Sequence, residues 1–434
     1  MNFSEQTLYD CLIKKKDSSS VSIADQFDFT RTDGGHQKLI AFLSHKKESP
    51  GEIQEMQKAL QHMSVNLLRW DTGIINIDLY YLHEYFNHEN RIASPNKWKN
   101  FWPFRRAKRS SQTESILIGV KRLHVFLREI RKKTAYFPED CPAFLRKIAE
   151  TITGILRKQQ LEDILQKDIQ KLSRASLLAM DDFFRFRFKE EFNFLLEQLY
   201  QLEAWYSLAK AIRAYNLTFP SFSGEHEFNV EGAWNPLVDN CVKTDFGYTD
   251  NRNVTFLTGP NMAGKSTFLR TIGLINCLAH TGMAVPAKKA VLPYFDVIDI
   301  NISVNDSLAE GYGHFYSELI KVKTAAKYLN EGRNCFIIFD ELFKGTNLTD
   351  ITDCSQILIK GFLQRPGSFF IVSSHHLQLL EQLEEQQKIQ FNHIEVLIQD
   401  EQPQFTYAIR NGISDIHLGL YFFYKEGIDK LLLT

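Results

Sequence analysis

Residues 255 to 270 read TFLTGPNMAGKSTFLR, and this stretch restricts the possible folds more than any other in the chain. An apolar run stops at a glycine, and helix-forming residues begin again with a lysine at their head. Gly259-Pro-Asn-Met-Ala-Gly264-Lys265-Ser266 fits the pattern G-x-x-x-x-G-K-[ST]. A loop of this kind needs a strand before it and a helix after it. Its glycines let consecutive backbone N–H groups curl inward, and the helix adds the positive end of its dipole, so phosphates are held mainly by main chain. Both flanks are present, as Val254 to Leu257 on one side and Thr267 to Arg270 on the other. Lys265 is expected to reach the β- and γ-phosphates and the Ser266 hydroxyl to bind Mg2+. The nucleotide-binding set is therefore Gly259, Pro260, Asn261, Met262, Ala263, Gly264, Lys265, Ser266 and Thr267, with ATP as ligand. The plain alternative is a chance match in an ordinary strand-turn-helix.

Two further strand ends weigh against chance. CFIIFDEL, Cys335 to Leu342, is an apolar run ending in adjacent carboxylates some 75 residues downstream. In this context Asp340 is expected to support the metal, directly or through water, and Glu341 to act as general base on the attacking water. Alone, such an Asp-Glu pair reads as a solvated strand end. FFIVSSHH is a second apolar run, ending in small polar residues and histidine. His375 or His376 is placed to sense the γ-phosphate, because ligands of open α/β sheets collect at the carboxyl ends of the strands; a polar cap is the other reading.

Around these motifs the chain divides in two. From about Asp25 to residue 215 it is charged and helix-like, with apolar residues three and four apart in Glu52 to Leu60, Ile116 to Ile130 and Ile152 to Ile169. Residues 217 to 253 are rich in turn formers and short strand-like pieces. Beyond them apolar strand-like runs (Val254 to Leu257, Phe295 to Ile302, Cys335 to Phe339, Phe369 to Val372, Ile394 to Ile398) alternate with helical ones, the pattern of a mostly parallel sheet covered by helices. The expectation is an all-α domain over 1–216 and an α/β P-loop NTPase domain over 217–434.

Composition sets limits on partners. A formal net charge of −1 gives no global attraction to nucleic acid or anionic membrane, so any electrostatic partner must meet a local patch. Six scattered cysteines without paired spacing argue against a disulfide framework or zinc site and suit a reducing cytosol. The N-terminus lacks the apolar core of a secretory signal, and no apolar run is long enough to span a bilayer. A cytoplasmic protein is expected.

Taken in order, the motifs resemble those of the MutS family of DNA mismatch-recognition ATPases. T-G-P-N-M-A-G-K-S-T at 258 to 267 differs from the family's usual loop only at Ala263. Asp340-Glu341-Leu342-Phe343-Lys344-Gly345-Thr346-Asn347 is similar to D-E-[IL]-G-[RK]-G-T-[SN], and Ser374-His375 to its T-H. NDSLAEGYGHFYSEL resembles the stretch that in the family reaches the partner's nucleotide. That likeness implies a homodimer in which Asp306, Gly311, Gly313, His314 and Glu318 act in trans. DFTRTDGGHQKLIAFLSHKKESPGEIQEMQKALQHM resembles the start of the family's helical core and lever domain, so the likeness runs from about residue 25 to 425. It implies a core/lever domain followed by an ABC-like ATPase domain.

The departures are specific. Gly313 and His314 stand where a serine is usual, so one hydroxyl contact to a partner's γ-phosphate is missing. Phe343 replaces a glycine. No segment long enough for the mismatch-reading and connector domains precedes the core, so Phe3-Ser4-Glu5 is read as a chance copy of the family's F-x-E wedge.

PNKWKNFWPFRRAKR, 95 to 109, interleaves Lys97, Lys99, Arg105, Arg106, Lys108 and Arg109 with four aromatics and contains no acid. Its cations could neutralise phosphates while the aromatics stack on bases. A basic inter-helix loop, a membrane-surface patch and a protein-docking patch are equally compatible. The resulting expectation is an ATP-dependent, DNA-binding protein of repair or recombination type, with DNA and a downstream repair protein as partners. The rival is an ATP-driven protein-interaction switch without DNA contact.

Overall fold

Three strands of the C-terminal half are buried along almost their whole length, the mark of a sheet covered on both faces. They are β4 (Val254–Thr258), β7 (Cys335–Asp340) and β8 (Phe369–Ser373). In this computed structural model the described residues are 2–17, 20–87, 103–224, 227–248, 252–260, 262–302, 314–343, 346–374, 388–399, 402–414 and 418–432. The remaining strands are β1 (Ser221–Phe222), β2 (Asn229–Ala233), β3 (Thr244–Gly247), β5 (Lys289–Leu292), β6 (Val297–Asn301), β9 (Ile389–Gln399) and β10 (Gln402–Asn411).

The chain divides into two units. One comprises Met1–Gln26, Phe42–Gln57 and Ile212–Thr434, the other Phe27–Ala41 and Lys58–Ala211. The last division falls between Ala211 and Ile212. The sheet-bearing unit, however, also takes in two N-terminal segments that the sequence placed with the helices.

In the sheet-bearing unit a six-stranded sheet runs β10-β9-β4-β8-β7-β6. All neighbours are parallel except the β9–β10 hairpin. The expected strand Ile394 to Ile398 is the C-terminal half of the longer β9, next to the hairpin turn, and β10 follows it unpredicted, because its polar alternation leaves no apolar run to detect. A second, four-stranded sheet, β1-β5-β2-β3, is built largely from the turn-rich region ahead of β4. Below the main sheet Phe339, Phe362 and Phe370 pack with Ile337, Ile351 and Ile359 in one buried cluster, the Phe362 and Phe370 rings stacked at 3.9 Å.

The N-terminal segment finishes the sheet edge. Ile300 and Ile302, on and just after β6, donate backbone N–H groups to Thr7 Oγ1 (3.1 Å) and Asp10 Oδ2 (2.9 Å) of the short helix Glu5–Asp10. An edge strand presents unpaired donors, and these two side chains occupy them. Phe3 is buried, as an ordinary core residue is.

In the other unit, among the described residues, regular structure is helical. Ala143–Leu156 shows why: Leu145, Ile148, Ile152 and Ile155 recur at helical spacing and are all buried. The run expected over Ile152 to Ile169 is two helices, Ala143–Leu156 and Gln159–Leu165, because Lys158 is extended at ψ 129°. Ser173 caps Arg174–Phe186 by accepting from Ser176 N. The core is aromatic, with Phe86 stacked on Phe192 at 4.8 Å, and it holds an ion pair in which Asp181 accepts from Arg185 and from the Tyr85 hydroxyl. Among the described residues no helix is long and apolar enough to cross a membrane.

Candidate functional site

Register brings three strand ends together. Leu257 of β4 and Asp340 of β7 both pair with Ser373 of β8, so the loops leaving these strands emerge side by side at the carboxyl edge. The loop expected to hold phosphate leaves β4 and re-enters helix at Lys265–Thr281. Two of its glycines are needed for shape. Gly259 has φ 136° and Gly264 φ 100°, a range that side chains rarely adopt, and a β-carbon on Gly264 would stand 3.0 Å from the Tyr407 ring. Met262 also takes a positive φ and is exposed, whereas the Ala263 methyl is fully buried, so the added carbon at this departure from the family loop is absorbed by packing.

Lys265 is buried, and its ammonium donates to the Gly259 carbonyl (2.6 Å) and the Pro260 carbonyl (3.2 Å). The same nitrogen stands 3.9 Å from Glu341 Oε1. Ser266 Oγ donates to Asp340 Oδ2 at 2.8 Å, linking positions 74 residues apart. The other Asp340 oxygen accepts from Ser373 Oγ. Glu341 begins the turn after β7 with φ 51°, and its N–H donates to the Ser373 carbonyl at 3.1 Å and hydroxyl at 3.2 Å. Phe343, where the family usually has glycine, adopts φ 66°, the conformation a glycine takes readily, and offsets the strain by burying its ring against Phe315 at 5.9 Å.

Thr267 faces a cavity of about 330 Å3 beside the loop. Gly264, Phe268 and Thr271 line one wall, and Val238, Cys241, Val242 and Tyr407 the others. Sequence reasoning missed these last four and Ser373, because their neighbours lie far along the chain and no spacing announces them. Glu318 is buried on the helix His314–Asn330. That helix starts at His314, whose side chain is outside the described residues, as are Asp306, Gly311 and Gly313 entirely. Asn261, His375, Lys97 and Lys99 also lie outside the described residues. Arg105, Arg106, Lys108 and Arg109 belong to the first turns of the helix Pro103–Thr134, so this half of the basic stretch is helix rather than loop.

The oxygen donors fit a hard cation such as Mg2+, which takes one or two protein oxygens and completes its octahedron with water and phosphate. A serine hydroxyl and a carboxylate within hydrogen-bonding distance at the mouth of a phosphate loop form such a pair. Farther from the loop, His280 is buried against Tyr294 and Phe295, and desolvation holds its pKa down at about 3. It accepts from Phe295 N at 2.9 Å and pairs with the Asn276 carbonyl at 2.8 Å, a structural role that uses the neutral ring.

The family profile of MutS domain V matches residues 255–430. The DNA mismatch repair protein MutS of Bacillus subtilis (strain 168) is 31% identical over 233 residues, covering 52% of this chain and 27% of the relative. MutS of Petrotoga mobilis is 25% identical over 327 residues (73% and 39%), and MutS of Thermotoga maritima 27% over 333 residues (73% and 41%). The chain thus spans between about a quarter and two-fifths of the length of these curated relatives. The chain is thus a partial MutS-like protein, similar to MutS domain V over residues 255–430.

Proposed function

We propose that this chain binds ATP with Mg2+ at residues 259 to 267, hydrolyses it, and couples nucleotide state to DNA binding of repair or recombination type. The reading rests above all on the Ser266 hydroxyl and the Asp340 carboxylate meeting at 2.8 Å across two strand ends. Ser266 and Asp340 would hold Mg2+, which would supply neutralising charge to the bound phosphates.

The chain's own residues divide the remaining work. Backbone N–H groups of the loop and the amino end of Lys265–Thr281 hold the phosphates, and Lys265 adds a cation to the terminal pair. Glu341, held in a turn beside Lys265, takes the proton of the attacking water. His375 senses the γ-phosphate. The cavity bordered by Thr267 and Tyr407 accepts the base.

In this reading residues 1–216 form an α-helical core/lever domain and 217–434 an ABC-like P-loop domain. The protein is a cytoplasmic homodimer. Asp306, Gly311, Gly313, His314 and Glu318 of a second copy close the nucleotide site. DNA lies along Lys97, Lys99, Arg105, Arg106, Lys108 and Arg109, and a downstream repair protein reads the nucleotide state. A ligand shifts a conformational equilibrium only by its differential affinity, so ATP and DNA must alter each other's binding by the same factor.

Titrating homoduplex, mismatched, branched and single-stranded DNA with and without ATP tests the coupling. Affinity for at least one probe is expected to change severalfold. Equal affinities in both states remove the coupling, and no binding to any probe favours the protein-interaction switch.

A further inference from the structure

Ser373 is a fully buried hydroxyl at the end of an otherwise apolar strand, Phe369–Ser373. Burying a hydroxyl costs free energy unless it is hydrogen-bonded, and here every bond it makes goes to the two acids. Its Oγ donates to Asp340 Oδ1 and accepts from the Glu341 N–H at 3.2 Å, while its carbonyl accepts from the same N–H at 3.1 Å. Asp340 is therefore gripped from both sides, by Ser373 at one oxygen and by Ser266 at the other (2.8 Å). Glu341 is simultaneously pinned in a turn of φ 51°, a conformation that a non-glycine residue keeps only when its surroundings impose it.

We infer that Ser373 is a positioning residue that orients the Asp340 carboxylate toward Ser266 for the metal and locks the turn carrying Glu341. The inference rests on the ATPase reading above and assigns to β8 a part in the site that the loop and the paired acids do not reveal. Ser373 itself touches neither nucleotide nor water in this scheme. A carboxylate free to rotate presents its oxygens to the metal only part of the time, so loss of the clamp weakens the metal step more than the phosphate cradle.

The test is Ser373→Ala, a change that removes one oxygen and adds no bulk. A fluorescent ATP analogue is titrated into wild type and variant without divalent metal and then at increasing Mg2+, and turnover is followed across the same Mg2+ range. The Mg2+ midpoint for tightened binding is expected to rise about tenfold, the scale of one hydrogen bond to a charged group. Metal-free binding is expected to stay within twofold, and turnover at saturating Mg2+ to fall. An unchanged midpoint overturns the inference. So does an equal loss of metal-free binding, which makes the hydroxyl merely structural. A wild type that binds no nucleotide instead removes the ATPase reading itself.

Discussion

The two units each contain a cavity, and the larger is not the one beside the motifs. In the helical unit a cavity of about 730 Å3 lies between the helices Asn76–Phe86 and Pro103–Thr134. Lys121, Arg122 and Lys133 line it with Tyr81 and Phe126, and the Arg122 guanidinium stacks on the Tyr81 ring at 3.6 Å. Asp78 and Glu129 share its wall, so its charge is mixed. The cavity beside the phosphate loop has less than half the volume. Yet it is the smaller one that is lined by Gly264 and Thr267, next in the chain to Lys265 and to the Ser266 hydroxyl that donates to Asp340 on another strand. Size does not identify a site. Convergence of charged groups held by other groups does.

That contrast can be broken, and the sharpest blow is Glu341→Gln. Replacing the base by its neutral isostere is expected to slow ATP turnover by about a hundred- to ten-thousand-fold while ATP still binds. Normal turnover measured by phosphate release takes Glu341 out of its role. Lys265→Ala comes next: losing a buried cation from the cradle is expected to weaken ATP binding about ten- to a hundredfold, and calorimetry showing unchanged affinity counts against the cradle.

Replacing Lys97, Lys99, Arg105 and Arg106 together with alanine tests the helical unit. If these residues neutralise phosphates, the slope of log DNA affinity against log salt is expected to flatten by up to about 0.9 per lost contact. An unaltered slope moves DNA elsewhere. The smallest effect is a matter of pH and of fold rather than chemistry. His280 has a folded pKa of about 3, below its value in an unfolded chain, so the unfolded state binds the proton first as pH falls. Its contribution to stability is intact above about pH 6.5 and is lost progressively down toward the folded pKa. Between pH 7 and 5.5 this amounts to about 1 kcal/mol, and urea unfolding of His280→Gln should show a pH dependence shallower by that amount.

How much of this could be read beforehand varies with the distance over which each feature is decided. The strand, loop and helix around Gly259 and Lys265 were legible because a phosphate loop is a local backbone shape and its residue types follow from φ values within a few positions. Asp340 and Glu341 were legible because a buried parallel strand is a continuous apolar run and its polar end stands out. Ser373 stood only among the polar residues ending an apolar run, and Tyr407 fell in a stretch with no strand signal, since the partner of Ser373, Asp340, lies 33 residues away and Gly264, beside Tyr407, more than a hundred. The helix Glu5–Asp10 was equally opaque. Its Thr7 and Asp10 act on Ile300 and Ile302, nearly 300 residues on, and nothing in a short polar segment encodes that.

Residue types alone therefore announced a strand, a glycine-bounded turn and a helix around Gly259 and Lys265, and two acids after a buried strand, because local backbone geometry and hydrophobic burial dictate residue type one position at a time. Which hydroxyl meets which carboxylate, which serine holds both acids, and what occupies the open edge of β6 emerge only once the chain is folded. Those pairings depend on strand order and register, and they are fixed by the packing of the whole sheet rather than by any segment of it.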